Sequence, residues 1–403
     1  MTVKRIAVLG GGILGSCLAL LLARRGHDVT VFDKESEPVA CASRWNEGKI
    51  HLGYLYGADD SLRTARHILP GSLSFGRVLS ELLGADLRPH TTSGDDIYLV
   101  HRNSVVDPVT LERTFSRIDE LLREHPLARE YLVDVSAART RRLSPSECRE
   151  ISGADEVVAA LEVPERSINT QWVADSLAAA LRSQARVTLR LETMVTDAKP
   201  AADPYGRWHV VAGDGTCEPF DVVVNALWEG RLAVDLTAGI TPAPGWSHRF
   251  RYCLFMRTTR PVALRSALIT VGGFGDVKNY NGRDFYMSWY PVGMVRQGGG
   301  ITLERPEPLD AAATAQFVGA VRAQLGSLLP GIDAVFEAAE DIKVRGGFVF
   351  AQAKGSVDDP AASIHRRDRF GVQREGNYYS VDTGKYSTAP WMAEQLAAEI
   401  SGD

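Results

Sequence analysis

The sequence predicts an α/β protein, and three stretches carry that reading. At the amino terminus the apolar run Ile6-Ala7-Val8-Leu9 leads into a glycine-rich turn, a helical pattern and a second β-rich run. Near the carboxy terminus a β-rich run, a turn and a helical pattern follow one another. Between them, short β-rich runs are separated by turn residues.

The first run is short and apolar enough for a strand buried on both faces. Gly10-Gly11-Gly12-Ile13-Leu14-Gly15 follows, with Gly10, Gly12 and Gly15 in G-x-G-x-x-G spacing. Leu14, Leu18, Leu21 and Leu22 recur at helical spacing up to Arg24-Arg25, and Gly26 stops the helix. Val29-Thr30-Val31-Phe32 is the next strand, and Asp33 stands at its end. Gly10 permits the tight turn, Gly12 lets the backbone approach a diphosphate, and Gly15 lets helix and strand pack closely. The helix start turns its free N–H groups and positive dipole end toward that diphosphate. Asp33 accepts the hydroxyls of an adenosine ribose and repels a 2′-phosphate, which argues against NADP.

The middle of the chain supplies strands at 187–191, 194–198 and 208–212, with Asp214-Gly215 a turn. Phe220-Asp221-Val222-Val223-Val224-Asn225-Ala226 reads as a buried strand. At the other end, Tyr378-Tyr379-Ser380-Val381 is a strand and Asp382-Thr383-Gly384-Lys385-Tyr386-Ser387-Thr388 a turn. Residues 389–400 are helical, with Pro390 in the first turn and Ser387 or Thr388 as the cap.

Ala42-Ser43-Arg44-Trp45-Asn46-Glu47-Gly48-Lys49-Ile50-His51-Leu52-Gly53-Tyr54 resembles the loop after the second strand in FAD-dependent oxidoreductases of the D-amino-acid oxidase superfamily. Within it, 46–53 is most similar to the L-2-hydroxyglutarate oxidase and glycerol-3-phosphate dehydrogenase branches. The 384–388 turn with its closing helix is similar to the Gly-Gly-Lys-x-Thr-Thr turn of glycerol-3-phosphate dehydrogenases. The strand ending Asn225-Ala226 also resembles the family, although Leu227-Trp228-Glu229-Gly230 stands where relatives continue with glycine.

The resemblance implies a Rossmann-type FAD-binding domain, discontinuous in sequence, built from 1–90, 150–245 and 345–403. It implies an α+β substrate domain with an antiparallel sheet from 91–149 and 246–344, its helices on one side. It places FAD against Gly10, Gly12, Ile13, Leu14, Gly15, Asp33, Lys34, Ser43, Arg44, Asn46, Gly48, Lys49, Ile50, Ala226, Gly384, Lys385, Tyr386, Ser387 and Thr388. Lys49 and Arg44 face the diphosphate in this reading. Some relatives attach flavin through a histidine where this chain has Asn46, so the FAD is expected to be non-covalent. A helix start beside the pyrimidine end stabilises negative charge on the reduced flavin.

In the substrate domain, strands are expected at 250–256, 268–271 and 285–290, and helices at 109–123 and 311–328. Tyr286, Ser288 and Tyr290 share one face, either as core or as a substrate wall. Arg249 and Arg251 share a face and are either a carboxylate clamp or ordinary ion-pair partners. The charged stretch 363–368 is either solvated loop or flavin edge. His51 is either the base that takes a hydroxyl proton or a residue that shapes the flavin loop. The catalytic set is thus His51, Tyr286 and Arg251.

Composition narrows the field. Over 403 residues, 45 basic and 50 acidic side chains leave a net charge of −5, without a basic run for nucleic acid. With 45% hydrophobic residues the chain buries enough to fold. Five scattered cysteines without a C-x-x-C pair suggest neither a metal site nor a disulfide framework, so a cytoplasmic protein with reduced thiols is expected. Cys41 reads as a small buried thiol. Residues 6–23 lack charge, but the arginines and β-run that follow do not suit a signal or membrane segment.

Three functions follow. The first is hydride transfer from a CH–OH carbon of a small polar substrate, a hydroxy acid or sugar-like molecule, to flavin, with reoxidation by oxygen or another acceptor. The second is oxidation of a CH–NH group in an amino acid or amine. The third is FAD binding without redox turnover. Ring hydroxylation lacks the Gly-Asp dipeptide expected near 370–385.

Overall fold

The computed structural model describes residues 2–359 and 361–402. Its first sheet has six strands, ordered Gly371–Glu375, Tyr378–Asp382, Val222–Asn225, Arg5–Leu9, Asp28–Phe32 and Val187–Arg190. All neighbours are parallel except the terminal hairpin, where Val372 pairs with Val381. Arg5–Leu9 is central, with Ile6 opposite both Val29 and Val222. Ile6 to Leu9 are wholly buried, as a strand covered on both faces requires. The helices Ile13–Arg24, Thr170–Ser183 and Ala389–Ser401 contribute to the core against one face. A three-stranded antiparallel sheet, Cys217–Phe220, Trp208–Ala212 and Val195–Pro200, supplies apolar residues for the other.

The second sheet has nine strands. One of its two long members, Trp246–Thr258, pairs along one edge with the other, Ala339–Gln352, and along its opposite edge with Met294–Gly299 and Asp284–Trp289. Gly275–Asn279, Ala267–Thr270, Asp96–His101, Val157–Val163 and Arg141–Arg142 continue it. The expected antiparallel pattern has one exception, since Ala267–Thr270 runs parallel to Asp96–His101. Val157–Val163 belongs to this sheet, although it lies within the stretch 150–245.

Helices cover both faces of this sheet, not one as expected. Alternation along Asp96–His101 explains why. Ile97 and Leu99 pack with Phe317 and Val321 of the helix Ala311–Leu328. Tyr98 and Val100 point the other way, toward Phe115 and Ile118 of the helix Pro108–Glu124.

Two expected local features differ. The strand at 285–290 ends at Trp289, because Tyr290 opens a short helical turn containing Pro291, which has no N–H for a sheet ladder. Thr388 takes the N-cap position of the last helix, but its side chain makes no cap bond to that helix. That helix continues from the 3₁₀ turn Tyr386–Thr388, and Thr388 Oγ1 donates back to Lys385 O at 2.8 Å. Ser387 Oγ accepts from Ser72 Oγ at 3.0 Å.

Candidate active site

A cavity of about 520 Å³ runs from the glycine turn to the Thr383–Tyr386 segment. That volume is in the range of cofactor and small-molecule sites. At one end lie Gly10, Gly12, Ile13, Leu14, Asp33 and Lys34, with Thr193 to Thr196 alongside, the Thr193 N–H donating to Asp33 O at 2.8 Å. Ser43 and Asn46 line its middle, and His51, Arg367, Gly384, Lys385 and Tyr386 its far end. Ala226 and Lys49 also line it.

The glycines fix the near end. Gly10 has φ +97°, and a Cβ there would meet Ala226 O at 2.7 Å. A Cβ on Gly15 would lie 1.9 Å from Gly10 O, so the helix packs as closely as the backbone allows. Gly12 offers no side chain to cap the helix Ile13–Arg24, and Ser43 Oγ accepts the Ile13 N–H at 3.1 Å. Asp33 accepts from the N–H groups of Gly11 at 2.7 Å and Glu35 at 2.9 Å. Burial pushes its carboxyl above the ordinary value despite those bonds. Lys34 pairs with Glu229.

Six of the residues expected at the cofactor do not line the cavity. Gly15 is taken up by the helix–strand contact. Arg44 turns to Asp175, 2.6 Å away, because the loop carries it toward the helix Thr170–Ser183. Gly48, at φ +63°, abuts the Ile168 carbonyl, where a Cβ would sit 1.9 Å from the oxygen. Ile50 is a wholly buried strand residue whose carbonyl accepts from Tyr131 Oη. Ser387 and Thr388 are engaged in the turn described above. Lys49 lines the cavity but is committed to carboxylates: it pairs with Asp96, and its Nζ is 3.3 Å from Glu165. Burial opposes its charge, yet those two carboxylates outweigh it and raise the pKa.

Of the three expected catalytic residues, His51 alone lines the cavity. Arg251 Nη2 donates to Ser288 Oγ at 2.9 Å, and Ser288 Oγ donates to Asp276 at 2.6 Å. Tyr286 Oη lies 3.3 Å from Cys253 Sγ, under Phe255, which in turn meets Trp45 edge-on. Both thus back the cofactor loop from the large sheet. Arg249 Nη1 donates to Tyr290 Oη at 2.6 Å. Cys41 lines the cavity half-buried; burial lifts its thiol to about 12, so it stays protonated.

His51 Nε2 is 3.8 Å from Glu47 Oε1. Burial first, and then Lys385, Lys49, Lys278 and Arg367, hold its pKa well below 6.5, so the imidazole is neutral at pH 7. Burial lowers Lys385 to about 7, with Arg367 adding to the effect. Burial would raise Glu47, but Lys385 and Arg251 outweigh it and keep the carboxylate ionised.

Sequence reasoning missed the buried charge network behind the loop. Glu165 accepts from Leu52 N–H and Tyr98 Oη, both at 2.6 Å. Lys278 Nζ is 2.7 Å from Asp96, which also holds Lys49. Asp96, Glu165 and Lys278 form no local motif; of the groups they hold, Lys49 and Leu52 fell within the loop already singled out.

Residues 5–398 match the family described as FAD dependent oxidoreductase, DAO. The chain belongs to that family. Solved structures agree on the fold. Glycine oxidase from Geobacillus kaustophilus is 18% identical at a TM-score of 0.67, over 99% of this chain and 95% of that one. NikD, an unusual amino acid oxidase of nikkomycin biosynthesis, is 16% identical at 0.68, over 100% and 94%. L-α-glycerophosphate oxidase from Mycoplasma pneumoniae, solved with FAD bound, is 14% identical at 0.62, over 99% and 94%. The DAO-family chain is therefore an FAD-dependent oxidoreductase, and the glycine turn, helix start and Asp33 give its cavity the donors and acceptor such a dinucleotide needs. Among the described residues, no helix is long and apolar enough to cross a membrane.

Proposed function

We propose that this flavoenzyme oxidises a CH–OH carbon of a small polar substrate, a hydroxy acid or sugar-like molecule, to a carbonyl. The observation that carries the proposal is His51: a neutral imidazole on the cavity wall, surrounded by Lys385, Arg367 and Lys49. Arg367, with the protonated fraction of Lys385, disfavours a substrate ammonium, whereas an alcohol or its developing alkoxide is tolerated. FAD supplies the acceptor for the hydride. His51 takes the hydroxyl proton at Nε2, and the Glu47 carboxylate, 3.8 Å away, stabilises the imidazolium that forms.

In this reading Gly12, Ile13 and Leu14 hold the diphosphate, Asp33 the ribose, and Asn46 with 384–386 the flavin. Asn46 donates to Ala42 O at 2.8 Å and accepts from Gly48 N at 2.8 Å, which suits shaping the loop around a non-covalent FAD. Arg251 and Tyr286 act as supports for Glu47 and the loop. The cofactor domain is drawn from 1–90, 150–245 and 345–403 and the substrate domain from 91–149 and 246–344, except that Val157–Val163 and the whole strand Ala339–Gln352 go with the large sheet of the substrate domain. Free cysteines at all five positions suit a reducing, cytoplasmic setting.

The test is anaerobic mixing of the yellow protein with hydroxy acids, sugars and amines while the oxidised-flavin band is followed. Bleaching by hydroxy compounds is expected. Bleaching by amines and never by alcohols would overturn the proposal in favour of CH–NH oxidation, in which His51→Ala barely slows reduction at high pH.

A further inference from the structure

Two turns stand as lips on either side of the glycine turn. In the first sheet Arg5–Leu9 lies between Asp28–Phe32 and Val222–Asn225, so the turns that follow those neighbours flank Gly10 to Gly12. The first lip carries Lys34, Glu35 and Cys41; the second is Leu227-Trp228-Glu229-Gly230, the stretch that departs from the family pattern. Lys34, Cys41, Trp228 and Glu229 line the cavity, and Lys34 pairs with Glu229. Trp228 sits at φ +33°, a conformation that few bulky residues adopt, and its Nε1 donates to Phe348 O of the strand Ala339–Gln352 at 2.9 Å.

A segment from the large sheet bridges the two lips. Residues 300–310, between the strand Met294–Gly299 and the helix Ala311–Leu328, have no regular secondary structure. Leu303 and Leu309 pack on the large-sheet core, and Tyr252 Oη donates to Glu307 O at 3.2 Å. Pro306 and Pro308 stiffen the stretch between those anchors. The strap therefore reaches the lips as a fixed extension of the large sheet. There Arg305 forks: Nη1 donates to Glu35 at 2.9 Å and Nη2 to Glu229 at 2.6 Å, one carboxylate on each lip. Nη2 also reaches Cys41 Sγ at 2.9 Å. A planar guanidinium suits such a two-way bridge better than the point charge of a lysine. The Arg305 side chain is 40% exposed and that of Glu35 30%, so water takes over these bonds when the fork lets go.

We propose that Arg305 is a latch over the adenosine half of bound FAD: its fork ties the lips to each other and to the large sheet, and FAD passes in or out only while the fork is open. The inference is independent of which carbon the enzyme oxidises. It rests on the placement of the adenosine ribose at Asp33. A latch that closes equally on the empty and the loaded cavity sets how fast FAD moves and not how tightly it is held, because opening enters both directions alike.

Three measurements on wild type, Arg305→Gln and Arg305→Lys test it. Exchange of bound FAD against excess 8-chloro-FAD gives the release rate. Quenching of flavin fluorescence on mixing FAD with flavin-free protein gives the uptake rate, and equilibrium dialysis the Kd. Arg305→Gln is expected to speed release and uptake alike, by about tenfold, with Kd within about twofold of wild type. Arg305→Lys keeps the charge without the fork and should fall between. Unchanged rates overturn the latch. So does faster release with unchanged uptake, since Kd then weakens in step and Arg305 holds FAD directly. Asp33→Ala tests the placement separately: it should weaken Kd, and an unaltered Kd would overturn the adenosine assignment even where the Arg305 rates bear out a latch.

Discussion

Glu165 accepts the Leu52 backbone N–H at 2.6 Å, immediately after His51 in the chain. The same carboxylate lies 3.3 Å from Lys49 Nζ, so His51 is gripped from both sides by one buried group. The grip reaches 113 residues along the sequence, from the strand Arg166–Ser167 and its approach to the cofactor loop. In the proposed reaction His51 must meet its proton within a few tenths of an ångström, and this grip supplies the support for that.

Removing that support should be costly. Glu165→Ala leaves Lys49 short of one counter-charge and the Leu52 N–H without its acceptor, so a loss of about 3–5 kcal/mol is expected. Glu165→Gln keeps an acceptor for Leu52 and should lose less. Urea unfolding of the three proteins checks the order; equal stability of Glu165→Ala and wild type would show that the grip is incidental.

His51→Gln should keep the flavin and slow its reduction by about 10²- to 10⁴-fold, the usual worth of a positioned general base. In wild type the imidazole must be neutral to accept a proton. Since burial and its cationic neighbours hold its pKa well below 6.5, reduction should stay fast at pH 6.5 and fall only in more acidic buffer. Stopped-flow reduction across pH 5 to 8 checks this, and an acid limb centred above 6.5 would exclude His51 as the base.

How much of this was legible depends on sequence distance. The glycine turn, its helix and Asp33 are consecutive, and so were readable; their geometry follows from Gly10 and Gly15 contacting backbone. Arg44 was not, because its partner Asp175 sits on a helix 131 residues away. Arg251 and Tyr286 were placed on the right strands, but which face meets the cofactor loop depends on the register Phe255↔Tyr286. The charges at Asp96, Glu165 and Lys278 look solvated in sequence; only the pairing of distant strands buries them together.

Lys385 gives a pH signature to stability. Its pKa falls on folding from 10.5 to about 7, chiefly by burial. The unfolded chain therefore binds more protons between those values, and this group makes stability rise with pH from about 7 toward 10.5, with its full penalty present below pH 7. Lys385→Met should remove that rise. Melting curves of flavin-free wild type and variant from pH 6 to 10 give the difference, and parallel curves would mean that Lys385 does not change its proton affinity on folding.

Gly15→Ala tests the near end of the cavity. The added methyl would start 1.9 Å from Gly10 O, a backbone atom that cannot rotate away. The helix must then shift off the strand Arg5–Leu9, at a cost of about 1–3 kcal/mol for an overpacked core. Because the same shift moves Gly12, Ile13 and Leu14 on the cavity wall, flavin affinity should fall more than stability does. Equilibrium dialysis of FAD beside urea unfolding separates the two losses. A variant destabilised as expected yet binding FAD like wild type would show that the helix start does not hold the diphosphate.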